Sequence, residues 1–547
     1  MAYRAWLALA GVVVTAGLLT ASGVSAPKQR GGTLRLSSVL DVDSVDPAIA
    51  YFPLSWMLEY ATCAQLFNYP DKPAPQGAIA VPEVAASFPR VSGGGKTQTI
   101  QLRRTFRFDN GQPVTAANYV AAFNRDANPE LLSQSAAAYA GYLDEIVGAK
   151  AVMAGKAHTA SGIKALGAYT LEIRTTKPMP DLVSRLAMPM FCPIAVDTPP
   201  HEIDDPLGSG PYYIASRVPN RETVLERNRF YSGSRPANVD HVVLTVGPGL
   251  GACRQAVEQN VLDWCDFLSD SDYRAIAATY GINKPNGRFF FTPTLSTGYF
   301  AFNHDRPAFK GPGQIPLMKA INWAIDRPAL ARASAYLGGK RTDQILPPAM
   351  TRDASIYPLG GVTEQSLARA RALLAQARFK PSKLVLYSAT SPAFFAVWAQ
   401  IFQFNMKRLG IDVEIRYFGT GGAMFAAAGT RGAPFDVVTA RWTADYADPT
   451  TYFDPLLNGN NITRTGNSNV AYFDRPNYNR AIERIDRLTG AARRKAWADL
   501  DVEMMRDDPP WAPFLNGARA DFISPSFGCY ILQPVVGMPD ITAACKK

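Results

Sequence analysis

Histidine is scarce in this 547-residue chain: His158, His201, His241 and His304 are the whole supply, and they are scattered. There is no C-x-x-C pair, no H-E-x-x-H and no G-x-S-x-G. These absences argue in turn against a zinc or dithiol motif, a zinc hydrolase and a serine-hydrolase elbow. No cysteine sits beside a histidine in a motif, so no catalytic residue is assigned and an exported hydrolase is the most remote reading. Long basic runs are also missing; the longest are Arg103-Arg104, Arg493-Arg494-Lys495 and Lys546-Lys547. The net charge of +10 therefore favours solubility and attraction to anionic surfaces, not a nucleic-acid partner. Gly93-Gly94-Gly95 before Lys96-Thr97 has the look of a phosphate loop, but Arg90 stands where such a loop needs its first glycine. Neither a metal nor a cofactor is expected.

The N-terminus is the first informative stretch. Arg4 precedes an apolar run, Trp6 to Leu19, and a small, weakly polar stretch, Thr20 to Ala26. That order is the order of a secretory signal over residues 1–26, with Val24-Ser25-Ala26 as a cleavage site. The same 21 residues, 6 to 26, also have the length of an uncleaved anchor, about 20 residues. No later segment is long and apolar enough to span. Everything from about residue 31 is expected outside the cytoplasm. The six cysteines suit an exported chain. Of fifteen possible connectivities, Cys253 with Cys265 and Cys529 with Cys545 are the easiest local closures, which leaves Cys63 with Cys192.

A chain of this length exceeds one core, so two or more domains are expected. The first half is rich in strands and turns. Gly31 to Val39 alternates, Trp56 to Phe67 is helix-like, Lys96 to Leu102 reads as a hairpin arm, and Thr115 caps a helix over Ala116 to Arg125. In the second half Leu384 to Tyr387, Phe394 to Leu409 and Ile411 to Tyr417 make a β-α-β unit. Helices are expected over Asn479 to Arg487 and Ala491 to Met505, then an extended tail. Two α/β lobes with a cleft is the economical architecture.

The centre of interest is FDVVTARWTADYADPTTYFDP at 435–455. A short apolar strand runs into Arg441, Trp442, Asp445, Tyr446 and Asp448. Binding groups of α/β proteins collect beyond the carboxyl ends of strands. An acid beside an indole suits an amine on a ligand. The plain alternative is a solvated turn capped by Asp445 and Asp448.

Several stretches, in this order, resemble the bacterial extracytoplasmic solute-binding proteins of family 5, the peptide/nickel class serving ABC importers. They are SVDPAIA at 44–50, GGGKTQTIQLRRTFRFDNGQPVTAANYVAAFNR at 93–125 and PLGSGPYYI at 206–214. ERNRFYSGSRPANVDHVVL at 226–244, YFAFNHDRPAF at 299–309 and LMKAINWAIDRPALARA at 317–333 follow, then the 435–455 stretch and DPPWAPFL at 508–515. The resemblance implies a periplasmic-binding-protein-like fold with an extra domain and a ligand cleft between lobes. Domain I would comprise 31–69, 200–290 and 521–547, domain II the insert 70–199, and domain III 291–520. It further implies a monomer that captures peptides by hinge closure and delivers them to a membrane permease, without enzymatic chemistry. The same scaffold with an oligosaccharide, a modified amino acid or haem is the alternative.

By the same resemblance Asp445, three residues after Trp442, pairs with the ligand's α-amino group, and Val42, Asp43 and Ser44 offer backbone to an extended ligand. Metal-binding members do not need this acid, and the scattered histidines disfavour nickel. Arg441 departs from the family's usual small residue; it could meet a ligand carboxylate or form a domain-closing salt bridge. Tyr299 and Asn303 lie at a domain crossing, where ligand contact and core packing are both open.

Overall fold

The computed structural model describes residues 30–547 except 133–139, 248–249, 267, 335–337 and 353. The signal sequence expected at 1–26 lies outside the described residues. No helix among the described residues is long and apolar enough to cross a membrane.

Three sheets organise the chain. The first has five strands in the order Trp264–Cys265, Thr33–Ser38, His241–Val246, Glu222–Arg227 and Tyr212–Val218. Thr33–Ser38 is the second strand in this order, parallel to both neighbours, and buries Leu34 and Leu36. The second is a four-stranded antiparallel sheet drawn entirely from Arg90–Ser92, Thr97–Gln101, Thr170–Arg174 and Ile163–Gly167. The helix Ala116–Asp126 packs on it, and Asn118 Oδ1 accepts from the N–H of the capping residue Thr115 at 2.8 Å.

The third sheet has six strands: Gly338–Arg341, Trp511–Phe522, Phe289–Phe302, Val437–Thr443, Lys383–Ala389 and Asp412–Phe418. Lys383–Ala389 and Asp412–Phe418 are parallel and joined by the helix Phe394–Lys407, as the β-α-β reading requires. Two of the expected elements are longer than their sequence suggests. Tyr299 to Asn303 is the end of a 14-residue strand, Phe289–Phe302. Trp511 to Phe514 and Asp521 to Ile523 are not separate pieces but parts of one 12-residue strand, Trp511–Phe522, and its immediate continuation. Antiparallel pairing of the two strands carries both through Ser296, Gly298, Asn516 and Gly517, with register shifts between Pro293 and Thr297 and between Gly298 and Tyr299. The helix expected at Trp56 to Phe67 runs instead from Pro53, which suits a first helical position, to Thr62.

All three cysteine pairs form: Cys63–Cys192, Cys253–Cys265 and Cys529–Cys545. The first ends the helix Pro53–Thr62 where the Gly208-Ser209-Gly210 turn crosses it. A Cβ on Gly210 would lie 2.5 Å from the Ala61 carbonyl oxygen and 2.6 Å from the Cys63 nitrogen. Ser209 Oγ accepts from the Ala64 N–H at 2.9 Å.

Candidate functional site

The strand Val437–Thr443 is buried through Ala440, and its amphipathic end then turns outward. Ala444 N–H donates to the Leu295 carbonyl at 2.8 Å, which fastens the start of the loop to the neighbouring strand. Asp445 N–H donates to Thr451 Oγ1 at 3.2 Å, and Asp448 Oδ1 accepts from Thr450 N–H at 3.0 Å. The loop is thereby folded back onto the helix Thr450–Leu457 that follows it.

Asp445 is 7% exposed. Its Oδ1 accepts from the Tyr51 hydroxyl at 3.0 Å and its Oδ2 from the Tyr142 hydroxyl. These two tyrosines lie 394 and 303 residues away in sequence. No Lys, Arg or His among the described residues forms an ion pair with this carboxylate. Burial pushes its pKa up to about 6, against the lowering effect of the Tyr142, Tyr51 and Thr451 hydrogen bonds. The same carboxylate in turn helps burial hold both tyrosine hydroxyls above their ordinary range. Trp442 is half-buried, and its indole N–H is buried without a hydrogen-bond partner among the described residues.

The next residues of the loop bind it to distant parts of the chain. Ala447 N–H donates to Tyr69 Oη at 3.0 Å. Tyr446 Oη donates to Asp181 Oδ2 at 3.3 Å, and Asp181 is paired with Arg185 at 2.7 Å. Burial alone would raise the Asp181 carboxyl, but Arg185 and Arg493 hold it below its ordinary range. Asp448 is gripped by Arg493 Nη2 at 3.0 Å. A groove of about 1200 Å³ opens beside this region, between Phe88, Met179 and Val183 on one side and Pro449, Arg493 and Arg494 on the other. Asp445 is not part of its lining.

The remaining residues singled out from sequence are placed as follows. Arg441 donates from Nε and Nη2 to Ser296 Oγ at 3.3 and 3.1 Å, and no carboxylate among the described residues pairs with it, so the domain-closing salt bridge is replaced by this one hydroxyl. Residues 42–44 do not continue the strand Thr33–Ser38. Val42 is buried; Asp43 accepts from the N–H groups of Tyr51 and Phe52 and from the Ser55 hydroxyl; Ser44 donates to Glu202 at 2.8 Å. Tyr299 is 2% exposed and stacks on Trp511 with ring centroids 3.7 Å apart. Asn303 is buried, donating to the Phe435 carbonyl and accepting from the Asp305 N–H. For Tyr299 and Asn303 the packing alternative is the one observed. Both side chains are buried, at 2% and 1% exposed, and neither is available to a ligand in this arrangement. Tyr51, Tyr142 and Asp181 were not legible as site residues, because nothing local distinguishes them. Among the described residues no group of three or more His, Cys, Asp or Glu side chains could hold a metal ion.

The α/β sheets and the acidic loop between them define a two-lobed binding protein. Residues 80–464 match the family "Bacterial extracellular solute-binding proteins, family 5 Middle", and the chain belongs to that family. It is 26% identical over 465 residues to the periplasmic murein peptide-binding protein MppA of Escherichia coli (strain K12), covering 81% of each chain. Among solved structures it resembles the clavulanic acid biosynthesis oligopeptide binding protein 2, with a TM-score of 0.85, 26% identity, and coverage of 95% of this chain and 96% of that one. A DppA of Helicobacter pylori in complex with the peptide STSA shares the fold, with a TM-score of 0.74, 18% identity, and coverage of 95% and 98%.

Proposed function

We infer that this chain is the extracytoplasmic substrate-binding component of an ABC importer, taking peptides whose α-ammonium rests on Asp445. One observation carries the reading: a carboxylate 7% exposed, held by two tyrosine hydroxyls from remote segments, with no protein cation paired to it among the described residues. A buried charge without a counter-charge is costly. An ionised carboxylate accepts about four hydrogen bonds, so a ligand ammonium can supply the missing charge while the tyrosines keep theirs. Trp442 beside it offers an apolar wall, and Val42, Asp43 and Ser44 can contribute backbone only, since Asp43 and Ser44 have committed their side chains.

The peptide-binding and periplasmic names of the relatives support the ligand class and the compartment. Three disulfides suit an oxidising compartment, and the apolar leader supplies the route there. The reading includes binding and delivery to a membrane permease by a monomer, and no bond-making step. Domain I would comprise 31–69, 200–290 and 521–547, domain II 70–199 and domain III 291–520. In support, each main sheet draws its strands almost wholly from one of these groups. The strands Phe289–Phe302 and Trp511–Phe522 then carry the chain between domains I and III as a paired hinge. With Tyr51 and Tyr142 closed onto Asp445, ligand access requires the hinge to open.

Titration calorimetry of the refolded chain from residue 31 tests the reading. Ala-Ala-Ala binds, whereas N-acetyl-Ala-Ala-Ala to wild type, and Ala-Ala-Ala to Asp445→Asn, bind at least about 30-fold more weakly, the low end of about 2–5 kcal/mol for a buried charge pair that loses one partner. Equal binding of the acetylated peptide, or binding of sugars alone, would sink it.

A further inference from the structure

The basic run Arg493-Arg494-Lys495 opens the helix Gly490–Asp507. The first turn of that helix carries no acid, and its capping residue Thr489 makes no side-chain cap. Cations beside a helix N-terminus add to its positive end instead of offsetting it, and the first N–H groups are left to an outside acceptor. Arg493 is committed to Asp448 and Asp486 at 3.0 and 3.2 Å, and Lys495 to Asp499 at 2.6 Å. Arg494, and Arg487 just before the helix, are exposed, and neither forms an ion pair with an acid among the described residues.

Both arginines line the groove of about 1200 Å³ that opens beside Pro449, together with Thr489 and Gly490 at the helix start. The acid in that lining is Asp448, which Arg493 already holds. The facing wall is apolar. Ile79, Phe88 and Val91 are 61, 57 and 56% exposed, and all three line this groove. Large apolar side chains exposed singly are ordinary, whereas three on one concave wall mark an interaction site. Phe88 is fixed there by stacking on the buried Phe67, with ring centroids 6.0 Å apart. Deeper in the wall, Gln98 Nε2 donates to the Met179 carbonyl at 3.2 Å.

The two walls together select the occupant. Cations on one side and hydrocarbon on the other fit a molecule with an acidic head and an apolar body. Pro89, Pro178, Pro180 and Pro449 also line the groove, and none of them has an N–H. A peptide segment laid along them would leave polar backbone groups unsatisfied, which is costly, whereas a hydrocarbon chain needs no partner. The apolar side chains stand on the wall of a groove and not on a convex face, so a single chain reaches them and a bilayer surface does not. The volume exceeds the roughly 300–1,000 Å³ of small-molecule pockets, so such a chain enters with its head group still hydrated.

We propose that this groove is a ligand site separate from the acidic loop and takes a free anionic amphiphile, its apolar chain along Ile79, Phe88 and Val91 and its acidic head on Arg487 and Arg494. The proposal does not rest on the ammonium reading of Asp445, which lies outside the groove's lining. The start of the helix Gly490–Asp507 adds its N–H groups to the head-group end.

Calorimetry on the full chain tests the site, with dodecanoate and dodecyltrimethylammonium as probes and with wild type, the double variant Arg487→Gln/Arg494→Gln and Phe88→Ser as proteins. Wild type binds dodecanoate, and binds the cationic amphiphile at least about tenfold more weakly. The double variant loses about tenfold or more for dodecanoate and with it the preference for the anion. Phe88→Ser weakens both amphiphiles about fivefold or more and leaves their ratio unchanged. Raising NaCl from about 0.05 to 0.5 M weakens dodecanoate binding to wild type but not to the double variant. Saturating Ala-Ala-Ala leaves the dodecanoate affinity within about twofold. Wild type that ignores dodecanoate, or binds both amphiphiles equally, overturns the proposal, and so does dodecanoate binding unchanged in both variants. Competition by Ala-Ala-Ala overturns it as well, since it places the chain beside Asp445. Two further arms identify other occupants. Protein that ignores dodecanoate yet pellets with phosphatidylglycerol vesicles has a membrane face here; protein that ignores it yet binds an N-acetylated, amidated dodecapeptide of Glu and Leu has a protein-docking face. Either result overturns the free amphiphile. Failure of Ala-Ala-Ala to bind sinks the peptide reading and leaves this one to the variants. Should Phe88→Ser fail to fold, Val91→Ser on the same wall takes its place.

Discussion

Asp445 couples the protein's stability to pH in a direction that a ligand reverses. In the ligand-free protein its pKa is pushed up to about 6 from an ordinary 3.8, by burial. Between those values the folded state holds the proton more tightly than the unfolded chain does. The contribution is therefore fully present below about pH 4 and lost as pH rises through about 6. That difference corresponds to roughly 3 kcal/mol. Asp501, buried and pushed up to about 7, adds a change of the same sign. The melting temperature of wild type in thermal scans should accordingly gain more on going from pH 7 to pH 4.5 than that of Asp445→Asn, which lacks the titration. With Ala-Ala-Ala bound the Asp445 contribution inverts, because the ammonium favours the ionised acid. Affinity then falls about tenfold per pH unit below about 6, and binding near neutral pH takes place without large proton exchange.

At the scale of elements, the crossing between the helix Pro53–Thr62 and the Gly208-Ser209-Gly210 turn sets a steric limit. The atoms facing Gly210 are the Ala61 carbonyl oxygen, at 2.5 Å from an added Cβ, and the Cys63 nitrogen, at 2.6 Å. Both are backbone, so neither can swing away. Gly210→Ala should destabilise the protein by roughly 1–3 kcal/mol, the size of an overpacked core site, seen as a lower denaturation midpoint with little change in m-value. The paired strands Phe289–Phe302 and Trp511–Phe522 show the other face of element-scale reasoning. Phe289, Phe300, Ala512 and Phe514 are buried along their length, and it is this shared burial that carries them past Pro293, Gly298 and Gly517. Local propensity alone would stop both strands there.

Across the whole molecule, remote segments meet on one loop. Tyr51 and Tyr69 come from the first seventy residues, Tyr142 and Asp181 from the second hundred, and Arg493 from near the chain's end. Lys177 reaches Asp486 at 3.4 Å across the same junction. Cys63–Cys192 closes the longest loop of the three disulfides, 129 residues against 12 and 16. In the chain-entropy account it contributes about 5 kcal/mol, against roughly 3 for each short loop. Replacing Cys63 and Cys192 by serine should thus lower the melting temperature more than the corresponding double change at either other pair.

Much of this protein was readable from residue order alone. The β-α-β unit over 384–417 rests on strict alternation and helical spacing, which are local properties. The two short disulfide loops follow from proximity along the chain, and the strand-to-loop change at 435–448 marks Asp445 by residue type. The tertiary structure decided what surrounds that acid. Tyr51 and Tyr142 are ordinary tyrosines until folding brings them across hundreds of residues to the two oxygens of one carboxylate. It also decided that Tyr299 and Asn303 belong to the core and that Arg441 faces a lone serine. Those outcomes depend on strand pairing and desolvation, which arise from contacts distant in sequence, and no local pattern encodes them.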